Sequence, residues 1–217
     1  AGAQQPATGL PDVEVPKPPV PEAFTLQGQF VRIAYNNEGY VTLGYRLAND
    51  SVGDEWMYLQ VGMTMMPGVP GQTLKRDAIS VKTPDGTVIP LATQREYAEA
   101  SYLPALNRKG QIVKDSLNYF PSGANMPCSL RFFADLGSGP NKGVAFDEVG
   151  MSDDRACVGR LFFEIPGGIV TGQHWLIVKF AGSEVQVPFR ILTKDEAKVL
   201  KKQWEDLKKA LDEGMLE

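Results

Sequence analysis

Three features of the sequence predict a mainly β fold, an antiparallel immunoglobulin-like β-sandwich with a long inserted loop and a C-terminal amphipathic α-helix. Short runs of β-branched and aromatic residues recur between turn residues from Phe24 to Leu192. No long internal helical pattern interrupts them, and after Leu192 the apolar spacing changes from alternation to steps of three and four. The reading divides the chain into a proline-rich arm (1–24), a sandwich body (25–192) with an excursion at 93–127, and a terminal helix (193–217).

The arm holds six prolines, at positions 6, 11, 16, 18, 19 and 21, and few large apolar side chains. It cannot bury enough surface to offset chain entropy, and its prolines favour extended conformations, so it reads as a tether. The run Gln29 to Tyr35 and the run 40–47, separated by Asn36-Asn37-Glu38-Gly39, predict a first hairpin, with Val41, Leu43, Tyr45 and Leu47 on one face. After the polar turn 49–55, the strand Trp56 to Met65 places Met57, Leu59, Val61, Met63 and Met65 together. Pro67, Gly68, Pro70 and Gly71 end it. A second hairpin, AISVK to TVIPL, turns at Asp85-Gly86, which supplies the positive φ that tight turns need.

Residues 93–127 break the rhythm. A short helix is expected near Gln94 to Tyr102, stopped by Pro104, with another near Ile112 to Tyr119. Excursions longer than about 15 residues are uncommon in compact domains and are often functional. Strand patterns resume at 129–136 and 157–166, separated by the acidic stretch Asp147 to Asp154. A final hairpin joins 172–180 to 184–192, and Pro188 marks its second strand as an edge. In the terminal helix Thr193 and Glu196 form a capping box, and Gly214 stops the run. Ala197, Leu200, Trp204, Leu207 and Leu211 share one stripe, flanked by the pairs Lys201/Glu205 and Lys208/Asp212.

Composition narrows function by subtraction. The 217 residues are 43% hydrophobic and 22% charged, as in ordinary globular domains, which excludes a wholly disordered chain. With 22 Lys plus Arg against 26 Asp plus Glu, the net charge of -4 lacks the basic footprint of a nucleic-acid binder. No stretch approaches the roughly 18 to 20 apolar residues of a transmembrane segment, and Leu161 to Val170 is broken by Glu164, Pro166 and two glycines. A start at Ala1, followed by small and polar residues, suits a mature chain after signal-peptide removal, hence a secreted or periplasmic location. Cys128 and Cys157 are disulfide candidates, the alternative being two buried thiols. Paired, they close a loop of about 30 residues, worth about 3 kcal/mol by loop entropy.

The sequence carries few recognisable chemical motifs. His174 is the single histidine and sits in a predicted strand whose apolar face is assigned to Trp175, Ile177 and a flanking Leu176, so it reads as an ordinary strand residue. There is no CxxC, P-loop, G-x-S-x-G or dinucleotide fingerprint, and no cofactor is expected. Asp147, Glu148, Asp153 and Asp154 are weak calcium candidates without EF-hand spacing. The methionines of the 56–65 strand read as core filling rather than soft-metal ligands. Tyr97, Tyr102, Arg108, Tyr119 and Phe120 on the excursion are binding candidates, because aromatic and arginine side chains suit protein contacts and sugar stacking. A hydrophobic lid is the plainer use. On the helix the candidates are Leu200, Trp204, Leu207 and Leu211.

The expectation is a non-enzymatic interaction or structural module that holds another protein, or a second copy of itself, through arm, loop or helix. One alternative is a carbohydrate-binding module using the excursion's aromatics. The other is a carboxylate-based hydrolase, which needs two carboxyl groups about 5 to 9.5 Å apart in a cleft.

Overall fold

The computed structural model describes residues 11, 13–16, 22–25, 28–113, 116–134 and 143–214. The predicted arm lies largely outside the described residues. The chain forms two compact units: residues 18–191 are the body, and residues 1–17 with 192–217 are the second.

The body is a mixed α/β domain with several sheets. Its first sheet has six strands: β1 (Glu22–Thr25), β2 (Gly28–Tyr35), β3 (Gly39–Gly44), β4 (Trp56–Met65), β8 (Met126–Leu130) and β10 (Arg155–Glu164). Their order is β1-β2-β3-β4-β10-β8. The second has four: β6 (Ile79–Lys82), β7 (Val88–Pro90), β11 (Gly172–Lys179) and β12 (Glu184–Ile191), ordered β12-β11-β6-β7. A small third sheet pairs β5 (Gln72–Lys75) with β9 (Glu148–Met151). Three α-helices accompany them in the body among the described residues, α1 (Arg46–Asn49), α2 (Gln94–Glu99) and α3 (Leu103–Ile112), and a fourth, α4 (Lys194–Asp212), belongs to the second unit.

The three expected hairpins form, as β2/β3, β6/β7 and β11/β12, and β12 with its Pro188 stands at a sheet edge. The reason is local. Gly86 adopts φ +89°, while the Asp85 carboxylate accepts from the Thr83 hydroxyl and the Thr87 amide and so closes its turn. In β4, Met57, Leu59, Val61, Met63 and Met65 are all fully buried, and Trp56, Tyr58, Gly62 and Thr64 of the opposite face are buried as well, so the strand is covered on both sides. The first five meet a core that includes Val81, Leu176, Val178, Val187 and Phe189 of the second sheet. Gly39 lets the sheets approach closely, because a Cβ there would stand 2.1 Å from the Phe180 ring.

Several expectations need correction. The sheet system is not purely antiparallel: β8 runs parallel to β10, with Cys128 opposite Cys157. The 40–47 run ends as a strand at Gly44 and turns helical at Arg46. Pro104 does not stop a helix but opens α3, where its missing amide and fixed φ are harmless in the first turn. Beyond Ile112, the last residue of α3, no helix forms in the described part of the stretch 112–119, where one is expected. The predicted strand 129–136 lies earlier, at 126–130. The acidic stretch contains β9, whose partner β5 has only four residues and was not anticipated.

His174 faces the core rather than its back. It is fully buried with Leu176 and Val178, stacks on Phe189 at 5.3 Å, and contacts the Gly172 carbonyl through Nδ1 at 3.0 Å. Trp175 turns the other way, where the Lys82 ammonium lies 4.5 Å from the ring centroid.

In the second unit α4 carries the expected capping box, with reciprocal bonds between Thr193 and Glu196. Lys201–Glu205 is joined by Lys202–Asp206 at 2.7 Å along the helix. The less exposed row runs through Glu196, Val199, Leu200, Trp204, Leu207 and Ala210, one step away from the predicted stripe, because Ala197 and Leu211 are exposed. No helix among the described residues is long and apolar enough to cross a membrane.

Candidate functional site

The outer face of the six-stranded sheet is where the excursion lands. Register puts Tyr40, Thr42 and Gly44 of β3 beside Thr64, Gly62 and Gln60 of β4, with Val158, Arg160 and Phe162 of β10 continuing the row. Two glycines act as seats. A Cβ at Gly62 would lie 2.5 Å from Phe120, and one at Gly110 of α3 would lie 2.5 Å from the Tyr58 ring. The excursion is therefore fitted to the sheet by residues on both sides.

This placement decides what the candidate side chains can do. Tyr97, on α2, is buried and packs on Phe162 at 4.9 Å and Phe133 at 5.1 Å, so it is core and offers no sugar platform. Helix α2 is held there by a capping box, Thr93 with Glu96, whose T-x-x-E signature stands in the sequence. Phe120 is half-buried beside Tyr40, and the Tyr119 carbonyl accepts from the Tyr40 hydroxyl. Arg108 is exposed on α3. Tyr102 is 47% exposed, and its hydroxyl donates to Asp54 at 3.3 Å. Partial burial and the nearby Asp54 charge both raise its pKa. The excursion thus supplies one exposed tyrosine, not a pair.

The aromatic pair lies elsewhere. Tyr35 and Tyr40, opposite each other across β2 and β3, stack at 5.7 Å with planes 15° apart, and Tyr35 is 57% exposed. The signal was present, since two tyrosines flanking a four-residue turn pair across the hairpin.

Below Tyr102 lies a cleft of about 620 Å³ whose walls include Asp54, Glu55, Glu96, Glu99 and Glu164. Three of these carboxylates already have donors. Glu96 closes the capping box, Glu99 accepts from Arg95 at 2.9 Å, and Asp54 accepts from Tyr102. The calcium candidates do not converge either. Asp147 accepts from Arg76 at 2.9 Å, Asp153 from the Gly68 amide at 2.8 Å, Asp154 from the Ser152 hydroxyl, and Glu148 lies on β9. Among the described residues no group of three or more His, Cys, Asp or Glu is arranged to hold a metal.

Two polar clusters escaped the sequence reading because each joins distant segments. Glu38 accepts from the Ser183 hydroxyl at 2.5 Å, Gln72 at 2.9 Å and the Gly182 amide at 3.0 Å, tying the β2/β3 turn to the β11/β12 turn. The Ser183 bond, with that of Gln72, holds its carboxyl below the ordinary range. Arg76 donates to the carbonyls of Ala92 at 2.6 Å and Phe132, and to Asp147, while its guanidinium lies 5.0 Å from the Phe133 ring centroid. It fastens the segment just after β8 and the segment just before β9 to the stretch that follows β7.

Cys128 and Cys157 are joined at 2.09 Å between β8 and β10. Asn49 donates its side-chain amide to the Arg190 carbonyl at 3.0 Å. No family model, curated protein or solved structure matches the chain.

Proposed function

We propose that this chain is a non-enzymatic interaction module that holds a protein partner through α4, with the arm as its tether. The observation that carries this reading is the division of labour between the two units. The hydrophobic core of the body is assembled from residues between Phe30 and Ile191. Helix α4, 19 residues long and capped, belongs to the other unit and carries Leu200, Trp204 and Leu207, all half-buried, along one row, with Leu211 52% exposed beside it. A tryptophan and leucines at helical spacing are what a groove on another protein recognises. The two larger sheets support reading the body as a derivative of the immunoglobulin-like sandwich, elaborated by the excursion. A secreted or periplasmic setting fits the disulfide.

The test is cross-linking in the native source through the lysines of α4, comparing the natural chain with Leu207→Glu/Leu211→Glu. The proposal predicts cross-links to one protein species, another protein or a second copy, that fall several-fold in the variant. Cross-links confined to the same chain, or equal in both, refute it. Glycan binding is the second reading, favoured by the stacked Tyr35–Tyr40 pair, and Tyr35→Ala on a glycan array separates the two.

A further inference from the structure

The Cys128–Cys157 bridge joins the edge strand of the six-stranded sheet to its neighbour, with the two residues directly opposed in register. The two sulfurs have different surroundings. Cys157 is fully buried in the core, whereas Cys128 is half-buried and lines a cleft of about 490 Å³ between β8 and β9. The rim of that cleft carries two exposed arginines, Arg131 and Arg155, against one carboxylate, Glu148. Among the side chains that line the cleft the balance is one positive charge, with the exposed Asp147 and Asp154 next along the chain to Glu148 and Arg155.

Besides its five-residue ladder with β10, the strand that the bridge retains has few buried side chains to hold it. Along β8 only Leu130 is buried; Met126, Pro127 and Ser129 are exposed. Firm anchors flank it on both sides. Arg76 grips the Phe132 carbonyl, and Phe120 occupies the seat over Gly62. An opening of β8 is thereby confined to a few residues. The buried Cys157 thiol left behind is a small apolar group that suits the core it sits in.

We propose that this cleft admits an anionic thiol that reduces the Cys128–Cys157 bridge in the folded protein and releases β8 as a local, reversible switch. The thiolate attacks the Cys128 sulfur, forming a mixed disulfide and expelling the Cys157 thiolate, which takes up a proton. A second thiolate attacks the external sulfur of the mixed disulfide and frees the Cys128 thiolate, which is protonated in turn. In sum, two thiols become one external disulfide and the protein gains two thiols. This inference stands apart from the partner-binding reading, since neither α4 nor the arm takes part.

The experiment measures reduction of the full chain under native conditions at low salt by glutathione (anionic), 2-mercaptoethanol (neutral) and cysteamine (cationic). Each rate is normalised to the same reagent acting on an unstructured peptide disulfide, which removes differences in thiol pKa. Glutathione is expected to lead cysteamine by roughly fivefold or more, with the lead lost at high salt. Arg131→Gln/Arg155→Gln abolishes the lead and Arg131→Lys/Arg155→Lys keeps it, while thermal unfolding of the oxidised variants checks that both are folded. In the reduced protein, amides of 126–131 should exchange at least tenfold faster while those of Leu161 and Phe163 stay protected. Three results each overturn the proposal: no charge preference, reduction only when denaturant unfolds the chain, or a uniform rise in exchange across the body.

Discussion

Replacing Arg76 by methionine tests whether one buried cation fastens the β8 and β9 segments. Methionine keeps much of the apolar stem and removes the guanidinium. The change deprives the Ala92 and Phe132 carbonyls, both in buried hydrogen bonds, of a charged donor, at about 1–3 kcal/mol each. Loss of the cation–π contacts with Phe132 and Phe133 adds to that. The Asp147 pair contributes little, because that carboxylate side chain is 90% exposed. Against these losses stands relief from burying a charge. The balance is about 3 kcal/mol, and at about 2–4 °C per kcal/mol for a domain of this size the melting temperature should fall by about 6–12 °C. Calorimetry of Arg76→Met and Asp147→Asn decides the matter. The account expects a large loss for the first and less than about 1 kcal/mol for the second. Equal losses, or an Arg76→Met chain as stable as the natural one, would refute the reasoning.

Other perturbations probe separate parts of the account. Burial lowers the His174 pKa below its ordinary 6.5, so the unfolded chain binds the extra proton first. Its contribution is therefore fully present above about pH 6.5 and declines as the pH falls below that value. His174→Phe should flatten this part of the denaturation-versus-pH curve, and an unchanged slope would contradict the burial argument. Gly62→Ala pushes a methyl group against Phe120 and Thr42, both 2.5 Å away, and should speed amide exchange in 116–120 while leaving β11 protected. Gly159→Ala meets the Leu130 carbonyl oxygen at 2.7 Å, which is backbone, and should cost about 1–3 kcal/mol in urea unfolding. For Glu38, carboxyl titration by NMR should give a midpoint below the ordinary 4.5, moving upward in Ser183→Ala; no movement would remove Ser183 as the main cause.

Much of the strand framework is legible because alternation and turn chemistry are local. The β4 methionines, the Asp85-Gly86 turn and the capping box at Thr193 each need only a few neighbouring residues to recognise. What escaped depends on distant partners. Strands β5 and β9, four residues each, acquire meaning only from one another, across about 75 residues of chain. The parallel pairing of β8 with β10 is likewise invisible in either run. His174 was assigned to the wrong face because Trp175 and Ile177 look like the apolar side of that strand. The real inner face is His174, Leu176 and Val178, fixed by pairing against Phe189, Val187 and Val185. The excursion's aromatics were recognised as candidates, yet whether a tyrosine is a platform or a core residue depends on the sheet beneath it. Tyr97 and Tyr102, five positions apart, fall on opposite sides of that distinction.

The most direct test of partner binding through α4 is the native mass of the protein, taken by light scattering on the chain isolated gently from its own source. The account predicts a complex well above the mass of one chain, and a fall to the mass of one chain for Leu207→Glu/Leu211→Glu with the body's unfolding transition unchanged. A mass of one chain for both proteins would contradict it.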